Sequence, residues 1–240
     1  MRITFTLGLV SIGAIIFAAR NVGAEPPAPE LMAKLATTSA GFDTIRKHAT
    51  FSVETRVETL DGDGHVTGVK TISEHVVHEG VTTHVVIDKA TKDGKDWTRQ
   101  AQHEEDEKHA ANEKDEKKGR LDIPFLASEQ SHYVFDVVET DPSNPARVRI
   151  AFRPKDPDSH SVEGSTWVDR DAAQFVSAGF KVSKPGIFVD YVHVTVEIGA
   201  TTEVGPALSR IKFEGKGGFL FFHKHIRGSV VFSNYKVASP

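Results

Sequence analysis

From Phe51 to Val237 apolar and polar residues alternate in one segment after another, and side chains two apart in a strand share a face. Phe51, Val53 and Val57 fall on one side of the first such segment, with Ser52, Glu54, Arg56 and Glu58 on the other. Further strands are predicted over Val66 to His78; through Val81, Thr83, Val85 and Ile87; and through Tyr133, Phe135 and Val137. The cleanest alternation follows, with Val148, Ile150 and Phe152 set between Arg147, Arg149 and Arg153. The pattern then continues over Val162 to Asp169, Phe175 to Val182, Ile187 to Ile198, Ala207 to Glu214, and Phe219 to Val237 with a break near Gly228. Asp61-Gly62-Asp63-Gly64, Glu79-Gly80 and Asp93-Gly94 supply turns, because glycine tolerates the positive φ that tight hairpins require. Connections this short join antiparallel neighbours, since parallel pairing needs a crossover of a dozen or more residues. About ten or eleven strands exceed what a strongly twisted open sheet holds flat. The predicted fold is therefore mainly β, a curved antiparallel meander forming an incomplete barrel.

Three segments depart from this period. Ile3 to Ala19 is apolar, follows Arg2 and precedes Val22-Gly23-Ala24, which is the layout of a secretory leader cleaved after Ala24. It is shorter than the roughly 20 residues a spanning helix needs, and Arg20 ends it. Pro26, Pro27 and Pro29 then make an extended lead-in, after which Leu31, Leu35, Phe42 and Ile45 place an apolar stripe on a helix ending near His48. Such a helix must dock on the sheet as a cap. Arg99 to Arg120 is dominated by Glu, Lys, Asp and His and reads as a charged helical insertion with little to bury. The expected organisation is thus a leader over 1–24 and one domain over 25–240 that carries the 99–120 insertion.

Composition narrows the class. The chain contains no cysteine, which excludes a disulfide framework and a lipidated N-terminal cysteine. Loss of Arg2 and Arg20 with the leader leaves 27 basic residues against 33 acidic ones, a net charge of −6. That balance argues against a nucleic-acid partner, which calls for a basic stripe. The reading is of a periplasmic or secreted protein whose contact with membrane is at most peripheral.

A curled sheet with an apolar concave side must fill that side, cover it, or leave room for an apolar ligand. The predicted lining is Phe51, Val53, Val57, Val85, Ile87, Phe135, Val148, Ile150, Phe152, Val192, Val194 and Val196. Periodicity leaves open whether these residues pack a core or line a cavity. No catalytic motif is present: there is no Gly-x-Ser-x-Gly elbow, no His-Glu-x-x-His and no Walker loop, so neither an enzyme nor a cofactor is expected. His223 and His225 share a strand face and form the one metal alternative, without a third ligand at sequence spacing. Asp61 to Gly64 fails as a calcium loop because Val66 and Ile72 stand where glycine and glutamate are needed. Trp97, Trp167 and Tyr191 offer stacking surfaces that ordinary packing also explains. Phe219-Leu220-Phe221-Phe222, the most apolar run after the leader, reads as a strand buried on both sides beneath a helix cap, with an exposed rim that touches membrane lipid as the alternative.

The order of elements resembles the LolA/LolB-like fold of bacterial envelope lipoprotein carriers and their sensor relatives. A leader precedes a helix from Pro29-Glu30-Leu31 to His48, which runs into Phe51-Ser52-Val53-Glu54. Later come Val148-Arg149-Ile150-Ala151-Phe152-Arg153-Pro154-Lys155 and Gly164-Ser165-Thr166-Trp167-Val168-Asp169, a strand ending in an acidic turn. The resemblance implies an incomplete barrel capped by helices, with a cavity that takes lipid or lipoprotein acyl chains non-covalently. The 99–120 insertion lies outside that carrier core. Three functions stay open from sequence: a lipid or acyl-chain carrier; an envelope interaction or sensor module with a packed core; and a metal-binding protein.

Overall fold

The computed structural model describes residues 25–79, 82–112, 121–185, 189–219 and 222–237. The expected leader, the turn at Gly80, the end of the insertion from 113 to 120, and Leu220-Phe221 lie outside the described residues.

Eleven strands form one antiparallel sheet: β1 (Ala49–Leu60), β2 (Val66–Glu79), β3 (Thr82–Lys92), β4 (Lys95–Asp96), β5 (Tyr133–Asp141), β6 (Asn144–Pro154), β7 (Val162–Asp169), β8 (Gln174–Val182), β9 (Val189–Thr202), β10 (Gly205–Phe219) and β11 (Phe222–Val237). Two helices accompany them, α1 (Pro29–His48) and α2 (Thr98–Asn112). The strand order is β4-β3-β2-β1-β11-β10-β9-β8-β7-β6-β5, so the sheet keeps two edges and does not close into a barrel.

That order is a meander entered from its middle. The N-terminal segment starts beside β5, where the Val137 amide donates to the Glu25 carbonyl at 2.8 Å. α1 then crosses the sheet: Met32 and Leu35 pack with residues of β5 to β8, whereas Ile45 meets Ala207 and Ala49 at β10 and β1. Twenty residues at 1.5 Å each make a rod of about 30 Å, and about six strand spacings of 4.8 Å cover nearly the same distance. The helix is therefore long enough to deliver the chain to mid-sheet, where β1 pairs later with β11.

Register places the apolar set on one face. Val137, Ile150, Thr166, Ala178, Val196, Ile211, Val230, Thr55, Ile72 and Ala90 are successive partners across ten strands, none of them charged. A row on the other face is polar throughout, running through Glu58, Arg227, Glu214, His193, Lys181 and Glu163. All twelve residues of the predicted lining belong to strands that contribute to the inner face.

Three expectations are corrected. Gly228 is not a break: it sits inside continuous β11, paired with Val57 and Phe213. A Cβ there would come within 2.5 Å of the Phe213 ring and of the Arg56 carbonyl, so glycine provides the space in which Phe213 crosses the strand. Gly215 to Gly218 likewise continues β10, which runs to Phe219 and pairs there with Phe222. Finally, α2 does bury something. Ala101 is enclosed with Ile87 and Ala90, and Gln102 accepts from the Ile87 amide at 2.8 Å and donates to the Val85 carbonyl at 3.1 Å. Small and polar side chains make this contact, Thr98 also accepting from the Ala90 amide at 3.0 Å, and they leave no trace in a hydropathy profile dominated by charges.

Candidate functional site: an apolar cavity under the first helix

Between α1 and the inner face lies a partly open cavity of about 470 Å³, within the roughly 300–1,000 Å³ usual for small-molecule sites. Ser39, Phe42 and Ile45 of α1 form its roof. Phe152, Thr166, Ala178, Phe180 and Val196 form the sheet wall, and Phe51, Phe232 and Tyr235 close one end. The loop from Leu121 to Phe125 adds the remaining side, held by Gln130, whose amide donates to the Met32 carbonyl at 3.0 Å and the Phe125 carbonyl at 3.1 Å.

Aromatic rings shape this space. Phe125 meets Phe135, Phe152 and Phe175 at centroid distances of 4.9, 5.7 and 5.1 Å, and Phe51 meets Tyr235 at 5.3 Å. Rings at these separations pack tilted or edge to face, so they leave gaps that aliphatic side chains would fill. Ala178, a small residue opposite Thr166, keeps the wall low there.

Of the sequence-derived lining, Phe51, Phe152 and Val196 border the cavity. Val148, Ile150 and Phe135 belong to the packed cluster beside it, beneath the first turns of α1. Val85 and Ile87 lie under α2, and Val53 is buried in β1. Val57, Val192 and Val194 are half-buried on strands of the open stretch between the two helices. Sequence periodicity missed Ser39, Thr166, Ala178 and the Leu121–Phe125 loop. Ser39 had a readable signal, since it follows Leu35 by four and precedes Phe42 by three on the helical stripe.

Four polar side chains reach this wall. Thr166 Oγ1 donates to the Ser177 carbonyl at 2.9 Å, and the Tyr235 hydroxyl to the Leu208 carbonyl at 2.9 Å. Asp122 accepts from the Tyr133 hydroxyl at 3.4 Å. Burial, and then the charges of Glu129 and Asp158, hold the Asp122 carboxyl above its ordinary range. Burial also pushes the phenols of Tyr133 and Tyr235 up to about 12. Ser39, at 1% exposure, has no hydrogen-bond partner. An orphaned buried hydroxyl costs about 1–3 kcal/mol.

The opposite face carries a depression of similar volume lined by Arg56, Glu58, Lys212, Glu214 and Arg227. Its charges are already paired. Arg227 bonds Glu58 at 2.7 Å, Arg56 bonds the same carboxylate at 2.8 Å, and Lys212 bonds Glu197 at 2.9 Å. This is a solvated charge ladder, of small energetic weight. His225 belongs to it, with Nε2 2.8 Å from Glu214 and 3.2 Å from the Tyr191 hydroxyl, while the side chain of His223 lies outside the described residues. Trp97 packs under Lys70 and Trp167 near Arg149. Among the described residues, Asp61, Asp63 and His65 form the one cluster with ligand atoms within 4.8 Å of one another. There Asp61 Oδ1 already accepts the Asp63 and His65 amides in the hairpin turn.

No family model and no curated protein matches the chain. Among solved structures it is similar to a DUF1329 family protein from Desulfovibrio piger ATCC 29098, with TM-score 0.41, 9% identity, and coverage of 86% of this chain and 92% of that one. It is also similar to the LolA superfamily protein NE2245 from Nitrosomonas europaea, with TM-score 0.36, 11% identity, and coverage of 84% and 94%. A third is MucB, solved in complex with MucA(peri), with TM-score 0.24, 9% identity, and coverage of 89% and 100%. The functional reading rests on this chain's own cavity.

Proposed function

We propose that this chain is an exported, non-enzymatic carrier that holds a lipid or acyl chain between α1 and the inner face of its open sheet. One observation carries the reading: a cavity of about 470 Å³ whose walls are almost wholly apolar and aromatic, roofed by a single helix. Burying a chain there yields about 0.8 kcal/mol per methylene, so ten methylenes supply roughly 8 kcal/mol before ordering costs. Packing α1 across the strands with a Ser39-centred gap supplies a space that the protein's own side chains do not fill. Among the described residues no helix is long and apolar enough to cross a membrane. The Met1–Ala24 leader and a single mature domain over 25–240 complete the proposal.

Native mass spectrometry of the gently purified chain tests it, with a co-purified acyl mass expected. Ala178→Phe, which fills the cavity from its sheet wall, is expected to abolish that mass while keeping the melting temperature at or above the parent's. Ligand retention by a folded Ala178→Phe variant would sink the reading. An N-terminal sequence beginning at Glu25 in the exported fraction is expected for the leader.

A further inference from the structure

Serines and threonines inside a helix ordinarily return their hydroxyls to the carbonyl four residues back. Thr37, Thr38 and Thr44 of α1 do so, to Ala33, Lys34 and Ala40 at 3.4, 3.3 and 3.1 Å. Ser39 does not, although it is more deeply buried than any of them and borders the cavity. The hydroxyls of Thr166 and Tyr235 on the same wall are satisfied. The other buried orphan atoms, Arg149 Nε and Ser183 Oγ, border no part of the cavity. A native buried polar atom without a partner calls for an explanation, and one that borders a cavity has room for an occupant that supplies the bond.

The geometry points to Ser39 as the hydrogen-bonding anchor for an oxygen on the buried segment of the ligand. The ligand class is then a neutral long-chain lipid bearing an ester carbonyl or a hydroxyl at cavity depth. A bare hydrocarbon leaves Ser39 unsatisfied. A free carboxylate meets Asp122 on the same wall, and two like charges in a half-buried site repel. This inference deepens the carrier reading and rests on it.

Affinities of decanol, methyl decanoate, decanoate and undecane for the full mature chain and for Ser39→Ala, measured by titration calorimetry, test the assignment. The parent is expected to favour decanol and methyl decanoate over undecane and decanoate. Ser39→Ala is expected to weaken the two neutral oxygenated probes about five- to tenfold while leaving undecane unchanged. Equal loss across all probes, or no loss, overturns the role of Ser39 and leaves the carrier reading standing. Absence of binding by every probe to the parent overturns both. The ligand-free Ser39→Ala chain is expected to melt no lower than the parent, because an orphaned hydroxyl is removed. A lower melting temperature would mean that a structural water holds Ser39, and would overturn the assignment.

Discussion

Ile150 is fully enclosed, and its polar neighbour Thr166 already spends its hydroxyl on the Ser177 carbonyl, so no group is free to receive a charge. Ile150→Asp is expected to prevent folding, whereas Ile150→Ala should cost about 2–5 kcal/mol in urea denaturation. Gly164 is equally constrained from another cause. A Cβ at this position would collide with the Gly179 carbonyl and lie 2.7 Å from Phe180 Cα, while a Cβ at Gly179 meets nothing within 4 Å. Gly164→Ala is expected to lose about 1–3 kcal/mol, with Gly179→Ala near neutral as the matched control. Asp122 brings in pH. With its folded carboxyl raised by burial, the native state keeps a proton that the unfolded chain has released. The stabilisation from this group is complete below the unfolded carboxylate range and is lost as pH rises through the raised folded value. Glu58 and Glu214, lowered by bonds from Arg227 and from His225, act in the opposite sense and lose their contribution as pH falls. Asp122→Asn is therefore expected to gain urea resistance over the parent at about pH 7 and to lose that advantage near pH 4.

Elements were legible wherever burial on one face set the period. The helix over Pro29–His48 and the strand over Val162–Asp169 follow from spacing alone. Glycine misled the reading of β10 and β11, because a residue without a side chain reports nothing about face, and Gly228 is explained only by the Phe213 ring and the Arg56 carbonyl that approach it. The cavity was half legible for a related cause. Alternation identifies the inner face and so finds Phe51, Phe152 and Val196, but it cannot say where a helix will leave a gap above that face. The docking of α2 depended on Ala101 and Gln102, both unremarkable in a charged run. Ala101→Glu is expected to free α2 and to speed amide exchange across β3 while β6 and β7 stay protected. Unchanged exchange in β3 would show that α2 adds no protection there.

At the scale of the whole molecule, the two helices cover opposite ends of one apolar face, α1 over β5 to β10 and α2 over β3. The middle of that face, where Ile211, Val230 and Phe213 are only half-buried, joins the two covered ends with no helix above it among the described residues. β1 holds the centre by pairing with β11, Thr55 opposite Val230. The opening strand thus waits for β11, and the β1–β4 and β5–β11 stacks stay unjoined until Phe222–Val237 is available. Contacts so distant along a chain form slowly. Docking of β11 on β1 is thus the step on which closure of the whole sheet waits.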